Sequence, residues 1–318
     1  MCLAGACGPI ASPRQIRLSL PGSDFRGNSE NELKYHKHAN NRLFRWQQPG
    51  QPYRRVTAGQ ADQYRRDGFF ALHGAFSPAE VTAVIAAIDP WEAETEAFLT
   101  TRKNGTYGIA RAGEITFHPH LVKRDPVLRE FAAHPVFRDL VHDLIGPDVR
   151  LYWDQSVYKK PGADREFPWH QDNGYTYIEP QQYLTCWVAL TDATLDNGCP
   201  WVVPGLHLEG TLAHRSTPLG YCCLEDVEGA EPIELEAGSV AVFSSLTPHR
   251  TGPNTTRQVR KSYILQYAGD GAKLLRDGAA PVRCDASDRQ FFILEEGASR
   301  ASVAGGTSRA SGPGGAGT

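Results

Sequence analysis

Residues 150–160, RLYWDQSVYKK, change the hydrophobic period of the chain from the helical 3.6 residues to the two residues of a β-strand. Four similar runs follow, and turn signals such as Pro161-Gly162 separate them. They are QYLTCWVAL (182–190), CPWVVPG (199–205), GSVAVFSS (238–245) and KSYILQYAG (261–269). Many short strands over about 120 residues predict a sandwich or an open barrel of the jelly-roll type, with an interior wide enough for a small ligand.

Before residue 149 the patterns are mainly helical. Thr57 precedes a short helix that Gly68 ends, and Phe69–Leu72 has the pattern of a short strand. Residues 77–80, SPAE, form a capping box at the start of a second helix, and a further helix is expected at 135–145. The sequence therefore predicts a mainly β protein with N-terminal helices (α+β), and a jelly-roll or cupin-like core from about residue 149.

Composition divides the chain into three parts. Residues 1–50 are polar and lack periodicity, so we expect an arm that is partly disordered or lies as a flap over the core. Residues 51–296 are predicted to form a single domain. Residues 297–318 are mostly Gly, Ala, Ser and Thr, which bury too little apolar surface to offset the entropy of ordering, so this tail is predicted to be disordered.

Charge and cysteine content exclude several classes of protein. The formal net charge of -3, from 33 Lys+Arg and 36 Asp+Glu, gives no general attraction to nucleic acid or to an acidic membrane. No run approaches the roughly 18 apolar residues of a membrane helix. The seven cysteines include no CxxC pair, which indicates reduced cysteines that serve in packing. We expect a soluble, cytoplasmic protein.

The sequence FPWHQD at residues 167–172 is the most informative local pattern. Residues two apart in an extended chain point to the same side, so His170 and Asp172 project together. One imidazole and one carboxylate are two thirds of the facial triad that holds non-haem Fe(II). His249 follows an apolar strand at 239–243 and is the candidate third ligand. On its own, the HxD pair is weak evidence for a metal, because a histidine beside a carboxylate is more often a structural hydrogen-bonded pair.

Other histidines are weaker candidates for a ligand. His207 and His214 also lie downstream and could supply the third ligand, although His207 follows Pro204-Gly205 and resembles a loop anchor. Two further pairs have suitable spacing but no completing carboxylate: His36 with His38, and His118 with His120. We interpret the first pair as part of a solvated arm or flap, and the remaining histidines as structural or close to a substrate.

An iron site of this kind leaves open positions for a co-substrate and O2. If the co-substrate is a dicarboxylate, its far end needs a cation, and the planar fork of arginine suits a carboxylate. Arg260 begins a strand and shares a face with Ser262, so both side chains could hold one carboxylate. Arg257 is the alternative, but it lies in a turn, where a solvated arginine is the usual case. We prefer Arg260 because a strand holds its side chain in place.

Four motifs occur in an order and at a spacing that are specific only in combination. They are FPWHQD (167–172), DNGCPWVVPGLHLEG (196–210), PHRTGPN (248–254) and RKSYILQY (260–267). Together with the earlier run YRRDGFFALHGAFSPAEV (64–81), they make residues 58–268 resemble the phytanoyl-CoA dioxygenase family. The resemblance implies a double-stranded β-helix that binds Fe(II), 2-oxoglutarate and O2.

The resemblance also implies roles for individual residues. The iron ligands would be His170, Asp172 and His249. The residues at the co-substrate would be Arg260 on the distal carboxylate with Ser262 beside it, Thr251 where the family often has a serine, Trp187 as a pocket aromatic, and Gln171 near the iron. Substrate-side candidates are Gln155, Trp153, Tyr175 and Tyr177, for which packing inside the barrel is an equally good interpretation.

The implied reaction is hydroxylation of a small organic molecule at an unactivated C–H bond, with release of succinate and CO2. Desaturation and ring formation begin in the same way and stay open. Asp172 argues against halogenation, because related halogenases have a small residue there, and NGYTYIEP (173–180) departs from the signature of ectoine hydroxylases. The alternatives are a cupin-like metal protein without 2-oxoglutarate chemistry, either an isomerase or a binding module, and a degenerate scaffold with a polar core network. The substrate and the oligomeric state are not readable from the sequence.

Overall fold

The computed structural model describes residues 35–225 and 227–298, and antiparallel strands dominate it. The predicted disordered tail lies almost wholly outside these residues, and so do the first 34 residues of the predicted arm. The described part of the arm packs against a loop of the core. There the Asn41 side-chain amide donates to the carbonyls of Glu209 and Thr211, and Lys37 forms a β-bridge with Leu212.

Four of the five α-helices in the described residues precede residue 145; three of these were predicted from the sequence, and the helix at 126–132 was not. They are α1 (Ala58–Asp67), α2 (Pro78–Thr100), α3 (Pro126–Ala132), α4 (Pro135–Leu144) and α5 (Asp172–Tyr175). The predicted capping box of α2 is present at Ser77, and α1 has one as well, at Thr57, which was expected only to precede the helix. Gly68 ends α1 with φ of 83°, and a Cβ there would lie 2.5 Å from Nδ1 of His207, so only glycine fits this position.

The strands begin with a short one after α1 and continue through the C-terminal half. They are β1 (Phe69–Leu72), β2 (Thr106–Tyr107), β3 (Ala110–Arg111), β4 (Ile115–Pro119), β5 (Val149–Lys159), β6 (Phe167–His170), β7 (Ile178–Glu179), β8 (Leu184–Ala189), β9 (Pro200–Val202), β10 (Arg215–Thr217), β11 (Gly220–Cys222), β12 (Glu231–Pro232), β13 (Val240–Ser244), β14 (His249–Thr251), β15 (Arg260–Gly269), β16 (Lys273–Leu274), β17 (Val282–Arg283) and β18 (Phe292–Leu294).

Two antiparallel sheets form the core. The larger has the order β1-β13-β8-β15-β5-β4-β3-β2, with β18 also paired to β5, and the smaller has the order β12-β9-β14-β6. Neighbours in both orders are mostly distant in sequence, as in a jelly roll. One hydrophobic cluster joins the sheets, with Phe243 and Ile264 from the larger and Val202 from the smaller. The predicted fold class, a mainly β protein with a jelly-roll core, is confirmed.

The two faces of the larger sheet have different partners. Its outer face packs under the helices, where Tyr263 and Leu265 of β15 join one cluster with Ile88 of α2 and Phe137 of α4. Its inner face looks toward the smaller sheet. Because side chains alternate along a strand, each long strand of this sheet contributes to the helix-covered core and to the barrel interior in turn.

Two observations bear on the predicted class of protein. Five cysteines lie in the described residues, and all are buried and free, which agrees with a role in packing: Cys186, Cys199, Cys222, Cys223 and Cys284. Among the helices that the structure describes, none is both long enough and apolar enough to cross a bilayer.

Candidate active site

Three side chains converge at one point. Two come from the paired strands β6 and β14, and the third comes from the segment that follows β6. His170 ends β6, Asp172 begins α5, and His249 begins β14 directly opposite His170. The two imidazole centroids are 4.1 Å apart, and Nε2 of His249 lies 3.8 Å from Oδ1 of Asp172, beyond hydrogen-bonding distance. One donor atom from each residue lies within 4.8 Å of the others, and within the described ranges no other group of His, Cys, Asp or Glu meets this criterion. The cluster suits one metal ion.

Backbone carbonyls fix the tautomer of both histidines. Nδ1 of His170 lies 2.8 Å from the carbonyl oxygen of Pro168, and Nδ1 of His249 lies 3.0 Å from that of Thr247. A carbonyl oxygen only accepts, so each Nδ1 carries a proton and Nε2 is the ring nitrogen left to bind a metal. Burial, with a smaller effect of the neighbouring His249, holds the pKa of His170 well below its usual value. The neutral ring that results is the form that binds a metal.

A threonine on the main sheet orients the carboxylate. Thr185 of β8 donates its hydroxyl to Oδ2 of Asp172 at 2.5 Å. Oδ1 is then the oxygen that points toward His249. Hydrogen bonds of this kind hold metal ligands in one orientation and raise metal affinity.

Gln171, which lies between His170 and Asp172 in the sequence, positions the segment that carries these two ligands. The Gln171 side chain is fully buried, with its amide nitrogen donating to the carbonyls of Gly210 and Leu246 and its oxygen accepting from the N–H of Leu212. The backbone N–H of Gln171 donates to Nε2 of His214 at 2.9 Å. All of these bonds are made to the protein itself. Gln171 therefore anchors the ligand segment, and the structure does not place it as a contact for a co-substrate.

A buried cation lies on the inner face of the main sheet. Arg260 is 1% exposed, and its Nη1 donates to Oγ of Ser262 at 2.7 Å. Its guanidinium carbon lies 5.0 Å from the centre of the Trp187 ring. Burial lowers the pKa of Arg260 to about 10, so the group stays charged at neutral pH. Its Nε and Nη2 atoms have no hydrogen-bond partner among the described residues, which leaves one edge of the fork open to a ligand.

The family model described as phytanoyl-CoA dioxygenase matches residues 64–262 of the chain, a span that contains the three convergent ligands and Arg260. The chain belongs to the phytanoyl-CoA dioxygenase family. It is therefore a dioxygenase, as the resemblance predicted. The family and the His–Asp–His donor set together support iron and 2-oxoglutarate as its cofactors.

Relatives and solved structures agree with this family. The chain is 27% identical over 223 residues to a methylphosphonate hydroxylase of Gimesia maris, covering 67% of this chain and 80% of that protein. It is 28% identical over 160 residues to a phytanoyl-CoA dioxygenase of Arabidopsis thaliana, covering 48% of this chain but only 56% of that protein. The fold matches the crystal structure of the epimerase SnoN with a TM-score of 0.57 and 23% identity, over 74% of this chain and 97% of that one.

The residues of this chain fit both cofactors of the family. Two imidazoles and one carboxylate are the donor set that non-haem Fe(II) takes, and the atoms of these groups that point away from the metal position are already bonded. At the other end of the interior, the unpaired edge of Arg260 fits a carboxylate. The competing Arg257 is exposed to solvent, as a turn residue is expected to be.

The remaining co-substrate candidate, Thr251, lies two residues beyond His249 on β14. The two-residue period gives both side chains the same face, so Thr251 projects toward the interior while Arg250 between them does not. Arg250 instead lies over the rings of Trp169 and Trp201. Thr251 is half-buried, and its position is compatible with the predicted role.

Of the substrate-side candidates, Tyr175 lies nearest the metal ligands. Its ring centroid is 5.2 Å from that of His170, and its hydroxyl accepts from the backbone N–H of Tyr221. Tyr177 instead stacks on His38 at 4.6 Å and is almost fully buried, so it joins the described part of the N-terminal arm to the core. Tyr175 thus lies beside a metal ligand, whereas Tyr177 packs between the arm and the core.

Trp153 and Gln155 lie on the inner face of β5. Gln155 pairs directly with Ile264, one step along the inner row from Ser262, and accepts a hydrogen bond from Nε1 of Trp153. The Trp153 ring meets His120 edge-on at 4.3 Å. The structure thus brings His120, Trp153 and Gln155 together beside the interior.

The histidines that competed as third ligand have structural partners. His207 lies under Gly68, with its Nε2 near the carbonyl of Arg65, and burial lowers its pKa to about 4. His214 accepts from the backbone of Gln171, and burial lowers its pKa to about 4 as well. His118 bonds the hydroxyl of Thr95 at the face that packs on α2. None of the three joins the metal-binding group.

Sequence reasoning missed two polar residues of the interior. Thr185 lies two residues before Trp187 on the same strand, so extending the two-residue period from Trp187 would have found it. Lys159 is 2% exposed and pairs directly with Arg260, although the pair Lys159-Lys160 at the end of a strand has the pattern of a solvated terminus. Only the register between β5 and β15 shows that this lysine enters the barrel.

Proposed function

We propose that this dioxygenase uses Fe(II), 2-oxoglutarate and O2 to hydroxylate a small organic molecule at an unactivated C–H bond, with release of succinate and CO2. In this proposal the metal ligands are His170, Asp172 and His249. The distal carboxylate of 2-oxoglutarate is held by Arg260 with Ser262, Thr251 and Trp187 around it.

The observation that carries the proposal is the open edge of Arg260. A fully buried guanidinium with two unpaired nitrogen atoms is costly unless an anion meets it. A cupin-like isomerase or binding module would have no use for such a cation beside its metal site. A degenerate scaffold would pair its polar atoms with one another, whereas Nε2 of His249 and Oδ1 of Asp172 stay 3.8 Å apart.

The chain itself supplies binding, orientation and exclusion of water. When bound, iron would activate O2, which is the oxidant, and 2-oxoglutarate would supply two electrons as it is converted to succinate and CO2. Arg260 and Ser262 fix the far end of the co-substrate, so that its 2-oxo acid end is presented to the metal in one orientation. Trp187, Ile264 and Phe243 form the apolar wall around it and keep water out.

Aromatic rings near the metal ligands support an organic substrate. Phe167 lies 4.9 Å from His170 and 5.7 Å from Phe117, measured between ring centroids. Phe117 also lines a cavity of about 570 Å³ with Leu99 and His120, which lies against α2 and is not lined by the metal ligands themselves. A cavity of this size accommodates a small molecule. Hydroxylation is the favoured outcome because the Gimesia maris relative is a methylphosphonate hydroxylase, whereas the structurally similar SnoN is an epimerase.

The test is reconstitution without oxygen. The purified protein is loaded with Fe(II) under anaerobic conditions, and 2-oxoglutarate is then added. A weak visible charge-transfer band is expected, followed by succinate formation when O2 is admitted. Candidate substrates are then screened for stimulation of succinate release, and the product is identified by mass spectrometry. Iron binding without the band or succinate would favour the cupin-like alternative.

A further inference from the structure

Lys159 brings a second cation into the barrel beside Arg260. It is the last residue of β5, and the register of β5 with β15 places it directly opposite Arg260. Residues directly opposite in an antiparallel pair project to the same face, with Cβ atoms about 4.5–5.5 Å apart. Both basic side chains therefore enter the same end of the interior.

Neither cation has a carboxylate partner. Lys159 is 2% exposed, and its ammonium donates to the backbone carbonyl of Gly252. Among the described residues no carboxylate lies within ion-pair distance of Lys159 or Arg260. Glu166, the carboxylate whose charge acts on Lys159, is already paired with Arg250. Two buried like charges side by side are unfavourable unless something negative joins them.

The electrostatic environment of Lys159 agrees with this geometry. Burial, followed by the charge of Arg260, lowers the pKa of Lys159 to about 7. A carboxylate placed between the two cations would favour the charged form of the lysine. It would also complete the hydrogen bonding of Arg260, whose Nη1 is bonded to Ser262 while Nε and Nη2 remain open.

The geometry points to Lys159 as a second cation for the distal carboxylate of the 2-oxo acid, an inference that rests on the function proposed above. Arg260 offers the fork, and the Lys159 ammonium adds a further donor from the neighbouring strand. The consequence is specificity. A 2-oxo acid that ends in a carboxylate meets both cations, whereas one that ends in a methyl group leaves both buried and unpaired.

The experiment compares two co-substrates of equal chain length in the full-length protein. Fe(II)-loaded wild type, Lys159→Met and Lys159→Gln are titrated anaerobically with 2-oxoglutarate and with 2-oxopentanoate, which has a methyl group in place of the distal carboxylate. Lys160→Met is the matched control, because Lys160 is the adjacent, half-buried lysine whose carboxylate neighbour is Glu96. The charge-transfer band reports binding without turnover.

Both Lys159 variants should bind 2-oxoglutarate about 10- to 100-fold more weakly than wild type. Their affinity for 2-oxopentanoate and for Fe(II) should be unchanged, as should all affinities of Lys160→Met. The glutamine variant keeps a donor for the Gly252 carbonyl, so it separates loss of charge from loss of this bond. Thermal unfolding of both variants confirms that they are folded.

Three results would overturn the inference or the function beneath it. Equal weakening of both 2-oxo acids would mean that Lys159 acts only by fastening the turn at Gly252. Unchanged binding of 2-oxoglutarate would mean that the lysine does not meet its carboxylate. A wild-type protein that binds Fe(II) but gives no band with 2-oxoglutarate would refute the proposed function itself.

Discussion

The two ends of the barrel interior differ in how completely their polar atoms are paired. At the metal end, Nδ1 of His170, Nδ1 of His249 and Oδ2 of Asp172 all have partners within the chain. At the cationic end, two nitrogen atoms of Arg260 have none among the described residues, and Lys159 reaches only a backbone carbonyl. The first end is preorganised, and the second is incomplete without an anion.

The two ends therefore differ in the interactions that stabilise them. The ligands are neutral or singly charged groups held by hydrogen bonds, so the site keeps its shape before a metal binds. Both cations are held by strand position, Arg260 also by the Trp187 ring, and their charges are offset only when a carboxylate arrives. Substitutions at the two ends should therefore separate metal affinity from co-substrate affinity.

The largest expected effect is loss of the metal end. His249→Ala removes one of three ligand atoms, and Fe(II) affinity should fall by more than about 100-fold, since loss of an outer partner alone typically costs about 10- to 100-fold. Succinate formation should become undetectable. Fe(II) titration and an assay of 2-oxoglutarate turnover measure the two effects.

His73→Ala serves as the control for this substitution, because His73 is exposed in the turn after β1. It should bind Fe(II) like wild type. If His249→Ala also retained wild-type affinity, the metal would lie elsewhere and the comparison between the two ends would fail.

The next effect concerns the cationic end alone. Arg260→Ala removes the fork and leaves the bound carboxylate without its main partner, so affinity for 2-oxoglutarate should fall by about 100-fold or more. Fe(II) affinity should stay at the wild-type value, because the metal end is held independently. Anaerobic titrations with Fe(II) and with 2-oxoglutarate measure both. The exposed Arg257→Ala is the matched control and should change neither; a loss in that variant instead would transfer the role to Arg257.

A smaller effect is expected where the main sheet supports the metal end. Thr185→Val keeps the shape of the side chain but removes the hydroxyl that bonds Asp172, so Fe(II) affinity should fall about 10-fold. Thr185→Ser restores the donor and should restore the affinity. Fe(II) affinity is measured by titration of wild type, Thr185→Val and Thr185→Ser. Equal losses of affinity in the valine and serine variants would show that packing, and not the hydrogen bond, is responsible.

The sequence predicted those features that depend on short-range patterns. A capping box located the start of α2, and alternation of apolar residues located β5, β8, β13 and β15. The two-residue spacing of His170 and Asp172 placed two ligands on one side, because that relation needs only an extended backbone.

Features that depend on strand register were not predictable in this way. Thr185 reaches Asp172 from a strand that is separated from it in sequence, and Lys159 meets Arg260 through a pairing over about a hundred residues. The role of Gln171 was also missed, because its partners are backbone groups of two distant loops. A one-residue shift in strand register would have put the side chains of Thr185 and Lys159 on the other face of the sheet.

No effect on the affinity of either end is expected from a substitution outside the interior, which tests an unpaired polar atom through stability alone. Asp154 lies on the helix-covered face of β5, where Oδ2 accepts from Tyr263 and from the N–H of Val122, while Oδ1 has no partner among the described residues. Burial raises the pKa of Asp154 from 3.8 to about 6. Between these values the folded protein binds more protons than the unfolded chain, so this group lowers the free energy of unfolding as pH rises.

Asp154→Asn removes the ionisation and keeps an oxygen that can accept from Tyr263 and Val122. The variant should therefore be more stable than wild type above about pH 7, by at most about 3 kcal/mol for a shift of this size, and the two proteins should converge near pH 4. Denaturant unfolding at both pH values measures the difference, with the exposed Asp164→Asn as control. Fe(II) and 2-oxoglutarate affinities should not change, because Asp154 lies on the helix-covered face of the sheet. A change in either affinity would mean that the two faces of the sheet are coupled. The unpaired atoms of the interior could then not be interpreted separately from stability.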